Sequence, residues 1–179
     1  MSEYGQSPEP GVVRFERLLP GPIERVWAYL TEGDKRARWF AGGEMDLRKG
    51  GALSFLHRHS GLSDEPDTPP EKYRDMHENG FTSTGTVLRA EAPRLLSFAW
   101  HEDGAPPSIV AFELAPQGDQ VRLVLTHSQL KDHAEMVNVS GGWHSHLDVL
   151  AEDLAGGPRR AFWPRHAGVE GEYERRLPA

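Results

Sequence analysis

The sequence contains no cysteine, which excludes a disulfide scaffold, a thiolate metal site and a cysteine nucleophile. Basic residues are scarce, since 20 Lys and Arg stand against 27 Asp and Glu, giving a net charge of −7. An acidic chain lacks the positive footprint that nucleic acids and anionic lipid surfaces require, so we expect neither as a partner. No apolar run approaches the roughly 18 residues of a membrane-spanning helix, and residues 1–11 do not read as a signal peptide. We therefore expect a cytoplasmic protein.

The residues that are present favour a sheet-rich fold. A chain of 179 residues can bury one sizeable core, and its 19 Gly and 14 Pro predict many turns. Apolar and polar residues alternate with period two in several segments of the middle of the chain, which is typical of strands with one covered face. The predicted strands are residues 12–18, 44–48, 52–59, 81–90, 95–101, 108–114 and 120–127.

Helical spacing appears at both ends of this strand-rich region. A first helix is predicted to begin at Pro22, followed by a short one over residues 32–39. A long amphipathic helix is predicted from Val139 or Ser140 to about residue 157, and a short one over residues 162–177. Two adjacent glycines, Gly141 and Gly142, weaken the long helix. They fit a helix that must leave space or approach a neighbouring backbone closely.

Three regions divide the chain. Residues 1–11 are expected to be flexible, residues 12–157 to form the domain, and residues 158–179 to form a partly helical extension. Within the domain, residues 60–79 carry six acidic and two basic side chains. We interpret this acidic insert as a solvated surface, with a lid over a cavity or a contact for a basic partner as alternatives. The aromatic residues of the extension either pack on their own domain or contact a second copy in a homodimer.

Seven short segments, in order, resemble one known superfamily. They are Pro22–Trp27, Arg38–Phe40, Met45–Gly51, Gly85–Leu88, Pro93–Trp100, Leu123–His127 and Gly141–Trp143. The resemblance is to the SRPBCC (START-like, birch-pollen-allergen-like) superfamily, in the branch named for the activator of the heat-shock chaperone ATPase. It covers residues 12–157 and implies an α+β helix-grip fold. In that fold a curved antiparallel sheet of about seven strands wraps around a long C-terminal helix, with a cavity between them.

The resemblance implies a binding site between the sheet and this helix. If the strand phases hold, apolar side chains line it and two histidines supply polar contacts. The alternative is an ordinary packed core in which the same side chains fill the space. The predicted ligand-binding residues are Phe55, Phe98, Trp100, Phe112, Leu125, His127, Trp143, His146 and Leu147.

Other chemistry has weaker support in the sequence. His57 and His59 share a predicted strand face, and histidines at this spacing can chelate a metal. No third ligand is fixed nearby, so we predict no metal and no cofactor. There is no Gly-x-Ser-x-Gly nucleophile motif, and we predict no catalytic residue.

Three functions follow in order of preference. The first is binding of an apolar or amphipathic small molecule. The second is a protein-interaction domain that modulates a chaperone ATPase. The third is a cyclase or hydrolase that uses His127 or His146 in the cavity.

Overall fold

One antiparallel sheet of six strands forms the centre of the molecule in the computed structural model, which describes residues 3–179. The strand order is β1-β6-β5-β4-β3-β2, and each neighbouring pair is antiparallel. The strands are β1 (Val13–Pro20), β2 (Ala52–His57), β3 (Phe81–Glu91), β4 (Leu95–His101), β5 (Ser108–Gln117) and β6 (Gln120–Ser128).

The seventh predicted strand, residues 44–48, is not formed. Residues 42–46 lie along the edge strand β2 but join it only through the isolated bridges Gly42↔Leu56 and Met45↔Leu53. Gly43 has a φ of +94°, and a Cβ at this position would stand 2.1 Å from the carbonyl oxygen of Ser54. A backbone with this φ leaves the extended region that a regular strand needs. The sheet therefore has six strands where about seven were predicted.

Five helices surround the sheet: α1 (Ile23–Thr31), α2 (Gly33–Arg36), α3 (Arg74–Asn79), α4 (His133–Leu154) and α5 (Phe162–Arg176). The long helix α4 begins six residues before Val139, where we predicted its start. The Asp132 side chain accepts a hydrogen bond from the Glu135 backbone N–H, and the Glu135 carboxylate accepts one from the Lys131 N–H. This reciprocal capping starts the helix. No helix within residues 3–179 combines the length and apolar character needed to cross a membrane.

The buried face of the sheet follows the predicted alternation. Val110, Phe112 and Leu114 of β5 are buried, as are Val121, Leu123, Leu125 and His127 of β6. Helix α4 covers this face with its own buried residues, which include Trp143, Leu147, Leu150 and Leu154. The fold is therefore the α+β arrangement of a curved antiparallel sheet and a long C-terminal helix.

Both chain ends pack onto this domain. We expected residues 1–11 to be flexible. Met1 and Ser2 lie outside the described residues, but Gln6 pairs with Arg14, and the Gly5 N–H donates to the Tyr173 hydroxyl at 2.7 Å. Phe162, Trp163 and Tyr173 of α5 are buried within their own chain. The extension thus packs on its own domain, and the lead-in is held because it contacts that extension.

Candidate ligand-binding cleft

A cleft of about 540 Å³ lies at one end of the sheet. Its walls come from the ends of β2, β4 and β6, the start of β3, the first half of α4, the start of α5 and the acidic insert. Aromatic side chains and histidines together make up most of its lining. The aromatic and histidine lining comprises Phe40, His57, His59, Tyr73, Phe81, Trp100, His101, His127, Trp143, His146, Phe162, Trp163 and His166.

Four of the nine predicted ligand-binding residues line this cleft: Trp100, His127, Trp143 and His146. The other five lie in the packed core. Phe55, Phe98 and Phe112 border only a void of about 10 Å³, which is no larger than a water molecule needs. Leu125 and Leu147 are fully buried. The strand faces were predicted correctly, but side chains of α1, α2 and α4 fill the middle of the sheet, and only its end stays open.

The sequence did not identify the part of the lining that comes from the insert and the extension. Tyr73 stacks on Trp163 with ring centroids 4.8 Å apart, and His59 stacks on the same indole at 5.1 Å. Phe162 stands edge-on to Trp163 at 5.1 Å. Aromatic residues in a polar terminus usually cover something, and that signal was available. The sequence did not show which surface they cover, because Tyr73 and Trp163 are 90 residues apart in the chain.

His57 and His59 do not share a strand face. β2 ends at His57, and His59 begins a short 3-10 turn over His59–Gly61. His57 stacks on Phe81 at 4.2 Å, whereas His59 turns toward Trp163. Across residues 3–179 no group of three or more His, Asp or Glu side chains is placed to hold a metal ion.

His127 has both ring nitrogens occupied by hydrogen bonds. Trp143 Nε1–H donates to His127 Nδ1 at 3.0 Å, and His127 Nε2 lies 2.8 Å from Ser108 Oγ. A neutral imidazole carries one proton, so the proton is on Nε2 and is donated to Ser108. Burial lowers the pKa of His127 to about 4. His127 therefore orients Trp143 on the cleft wall and has no lone pair left for a ligand.

A second hydrogen-bonded group orients side chains of β2, β3 and β4 on the wall of the same cleft. The Ser83 hydroxyl accepts from Trp100 Nε1–H at 3.0 Å and lies 2.9 Å from His57 Nε2. The His57 ring is nearly parallel to those of Trp100 and Phe81. Burial, with a smaller contribution from His59, lowers the pKa of His57 to about 3. Three parallel rings thus form a neutral wall.

His146 is held differently. Its Nδ1 lies 2.8 Å from the Trp39 carbonyl oxygen, which can only accept, so Nδ1 carries the proton. Burial, reinforced by His59, lowers its pKa well below 6.5. His59 lies with its ring centroid 5.6 Å from that of His146, and its buried Nδ1 has no hydrogen-bond partner among the described residues. Burial lowers the pKa of His59 to about 4.

The acidic insert fastens the extension over the cleft. Asp64 forms an ion pair with Arg159 at 2.6 Å, and this arginine lowers the pKa of Asp64 to about 2. The Glu65 carboxylate accepts from the Ala161 N–H. Asp67 accepts from the backbone N–H groups of Phe162 and Trp163 at the start of α5. We interpreted these acids as a solvated surface, and Asp64 and Glu65 are exposed. The sequence did not show that all three acids also bind N–H groups before and within the first turn of α5.

We expect the Asp67→Ala variant to be less stable by about 1–2 kcal/mol, the usual cost of removing a side chain that caps a helix N-terminus. Its urea midpoint should fall, and hydrogen exchange should quicken in the first turn of α5. The Asp67→Asn variant keeps an acceptor oxygen and should lose less. If Asp67→Ala keeps the native urea midpoint, or if α5 exchanges at the native rate in this variant, Asp67 does not fasten the helix.

Residues 20–155 match the family described as "Activator of Hsp90 ATPase homolog 1-like protein". The chain belongs to this family. The resemblance that we inferred from the seven sequence segments is therefore confirmed. No curated protein matches the chain.

Solved structures agree with this assignment. The chain is 47% identical to a Bordetella parapertussis protein solved by NMR, with a TM-score of 0.82, covering 98% of this chain and 91% of that one. CalU16 from Micromonospora echinospora is 24% identical, with a TM-score of 0.68, 92% of this chain and 86% of that one being covered. The Aha1 dimer from Colwellia psychrerythraea is 14% identical, with a TM-score of 0.59 and coverages of 80% and 95%. The last two show the fold alone.

Proposed function

We propose that this member of the family binds an apolar aromatic small molecule in the cleft at the end of the sheet. The observation that supports this is the cleft itself, which has about 540 Å³ of space between aromatic walls. Ligand sites of proteins have volumes of about 300–1,000 Å³, with apolar walls and a few placed polar groups. Burial of apolar surface supplies the affinity. Hydrogen bonds already hold the Trp100 and Trp143 side chains in place, so they lose little conformational entropy when a ligand binds.

The paired glycines of α4 support the same proposal. A Cβ built on Gly142 meets nothing within 4 Å, and Gly142 lines the cleft. A Cβ built on Gly141 stands 3.6 Å from His166 Nε2 and 3.7 Å from the Glu170 Cα on α5. Gly142 therefore leaves the cleft open, whereas a Cβ at position 141 would make ordinary van der Waals contact with α5.

The catalytic alternative has less support. A cavity histidine that acts as a base normally has an orienting carboxylate. Among residues 3–179, no lining histidine forms a hydrogen bond to a carboxylate, and the nearest pair, His166 Nδ1 and Glu170 Oε2, is 3.9 Å apart. Of the two histidines that we considered as the base, His127 donates to Ser108 and accepts from Trp143. His146 is oriented by the Trp39 carbonyl oxygen and not by a carboxylate, and burial lowers its pKa well below 6.5.

Protein interaction is the second proposal. The family name refers to a chaperone ATPase activator, and the structure of the Colwellia relative is that of a dimer. Because the aromatic residues of α5 are buried in their own chain, a homodimer of this protein would use a surface other than the apolar face of the extension.

The Gly142→Phe variant tests the binding proposal. The new side chain points into the cleft, so we expect binding of naphthol, measured by calorimetry, to weaken by at least about tenfold. Native mass spectrometry should show any small molecule that co-purifies with the native protein missing from this variant. The matched control is Gly168→Phe on the exposed face of α5, where a Cβ also meets nothing within 4 Å. Equal binding by both variants would contradict the proposal.

A further inference from the structure

His146 presents one acceptor atom, Nε2, to the cleft, because a backbone hydrogen bond holds its proton on Nδ1. Because Nδ1–H donates to the Trp39 carbonyl, the neutral ring has its lone pair on Nε2. Nε2 has no hydrogen-bond partner among the described residues, yet it is not among their buried unpaired atoms, so it is open to the cleft that His146 lines. The ring is held between Phe40 at 5.1 Å and Phe162 at 4.9 Å, so it cannot turn to offer its donor instead.

The charges around the cleft select against an anion. No Lys or Arg is part of the lining, and its only carboxyl side chains are the exposed Glu102 and Asp103. The inner histidines are neutral because burial disfavours their charged form. A carboxylate or phosphate entering this space would lose its water without gaining a counter-charge.

The walls favour a flat ring system. On the sheet side, His57, Phe81 and Trp100 are nearly parallel, with interplanar angles of 7° and 8°. On the opposite wall, Tyr73 of the acidic insert stacks on Trp163 of α5 at an interplanar angle of 16°. Aromatic rings gain offset-stacked and edge-on contacts with such walls beyond the gain from buried area.

We propose that the ligand is a neutral, planar aromatic molecule whose O–H or N–H group donates a hydrogen bond to His146 Nε2. This inference rests on the proposed binding function and adds the polarity of the ligand to it. His59 lies beside this donor position, with its ring centroid 5.6 Å from that of His146. Its Nδ1 is buried and has no partner among the described residues, so this atom is not open to a ligand and His146 Nε2 is the acceptor.

Three probes of equal ring size test the inference by calorimetry at pH 7: naphthol, its methyl ether and naphthoate. Naphthol donates a hydrogen bond, the ether does not, and naphthoate is an anion. We expect naphthol to bind about five- to tenfold more tightly than the ether, which is the value of one such hydrogen bond. Naphthoate should bind more weakly than either.

The His146→Asn variant identifies the acceptor. The asparagine amide replaces Nδ1–H as donor to Trp39, so the fold is retained while the Nε2 acceptor is removed. We expect naphthol and its ether to bind this variant equally. The control is His133→Asn, in the same helix but outside the cleft, which should keep the preference.

The outcomes separate the two proposals. If the native protein binds naphthol and its ether equally, or if His146→Asn keeps the preference, the donor inference is overturned while binding in the cleft stands. Tight binding of naphthoate would also overturn it. If the native protein binds none of the three probes, the proposed function fails together with the inference.

Discussion

Lowering the pH from 7 to 5 should remove about 8 kcal/mol of stability from this protein through four histidines alone. His57, His59, His127 and His144 are buried, and burial lowers their pKa values from 6.5 to about 3, 4, 4 and 4. Each imidazole stays neutral in the fold at pH 5 and takes up a proton only when the chain unfolds. At about 2 kcal/mol each, the sum is comparable with the 5–15 kcal/mol that stabilises a typical domain.

The direction of the effect follows from the lowered pKa values. Above pH 6.5 the four side chains are neutral in both states, and they favour neither. As the pH falls from 6.5 toward 4, the unfolded chain binds more protons than the native one, and stability is lost. Arg159 lowers the pKa of Asp64 to about 2, so the stability that this carboxylate contributes is lost only below about pH 4. The loss expected between pH 7 and pH 5 therefore belongs to the histidines.

Urea unfolding at several pH values measures this dependence, and the His59→Phe variant assigns part of it. The buried Nδ1 of His59 has no hydrogen-bond partner among the described residues, and the ring stacks on Trp163. A phenyl ring keeps the stacking, so the variant should match the native protein at pH 7. At pH 5 it should lose about 2 kcal/mol less. A native protein whose urea midpoint is constant between pH 7 and pH 5 would show that the buried histidines do not control acid stability.

The elements of the sheet and their buried faces were predictable because they depend on local alternation. Val121, Leu123 and Leu125 stand at every second position, with Arg122, Val124 and Thr126 between or after them, and this period of two places the three on one face. The start of α4 was missed although its signal was present, since Asp132 and Glu135 have the spacing of a capping box. A signal that depends on two polar residues is weaker than a stripe of five apolar ones.

The site was only partly predictable, because an open cleft and a packed core use the same side chains. Phe98 and Trp100 lie on one face of β4, yet Phe98 is enclosed and Trp100 borders the cleft. Which of them stays open depends on what reaches it from other elements. One such element is α5, whose first residue, Phe162, is hydrogen-bonded to Asp67 of the acidic insert, 95 positions earlier in the chain. Sequence periodicity carries no information about such distant hydrogen bonds.

A buried arginine was also outside the reach of sequence patterns. Arg36 is 2% exposed and has no carboxylate partner among its hydrogen bonds. Its guanidinium donates to five backbone carbonyl groups around the turns that follow α1 and α2. The acceptors are the carbonyl oxygens of Leu30, Thr31, Ala41, Gly42 and Gly43. Burial lowers the pKa of Arg36 to about 10, so it remains charged at pH 7.

Replacing Arg36 by Met should destabilise the protein by at least about 3 kcal/mol, because several carbonyl groups are left buried without a donor. The Gly42 carbonyl also accepts from the Leu56 N–H, but the Ala41 and Gly43 carbonyls lose the hydrogen bond that Arg36 donates. Phe40, which lines the cleft, directly precedes Ala41 in the chain. Binding of naphthol should therefore weaken as well. Urea unfolding at pH 7 measures the first effect and calorimetry the second.

The neighbouring Lys35 supplies the matched control. Its side chain is exposed and pairs only with Glu32, at 2.8 Å. An exposed ion pair contributes about 0–1 kcal/mol, so Lys35→Met should shift the urea midpoint little. Arg36→Lys, which keeps the charge but offers fewer and differently directed donors, should fall between the two. If Arg36→Met and Lys35→Met unfold at the same urea concentration, the five carbonyl contacts do not stabilise these turns. A Lys variant as stable as the native protein would instead show that charge alone is sufficient.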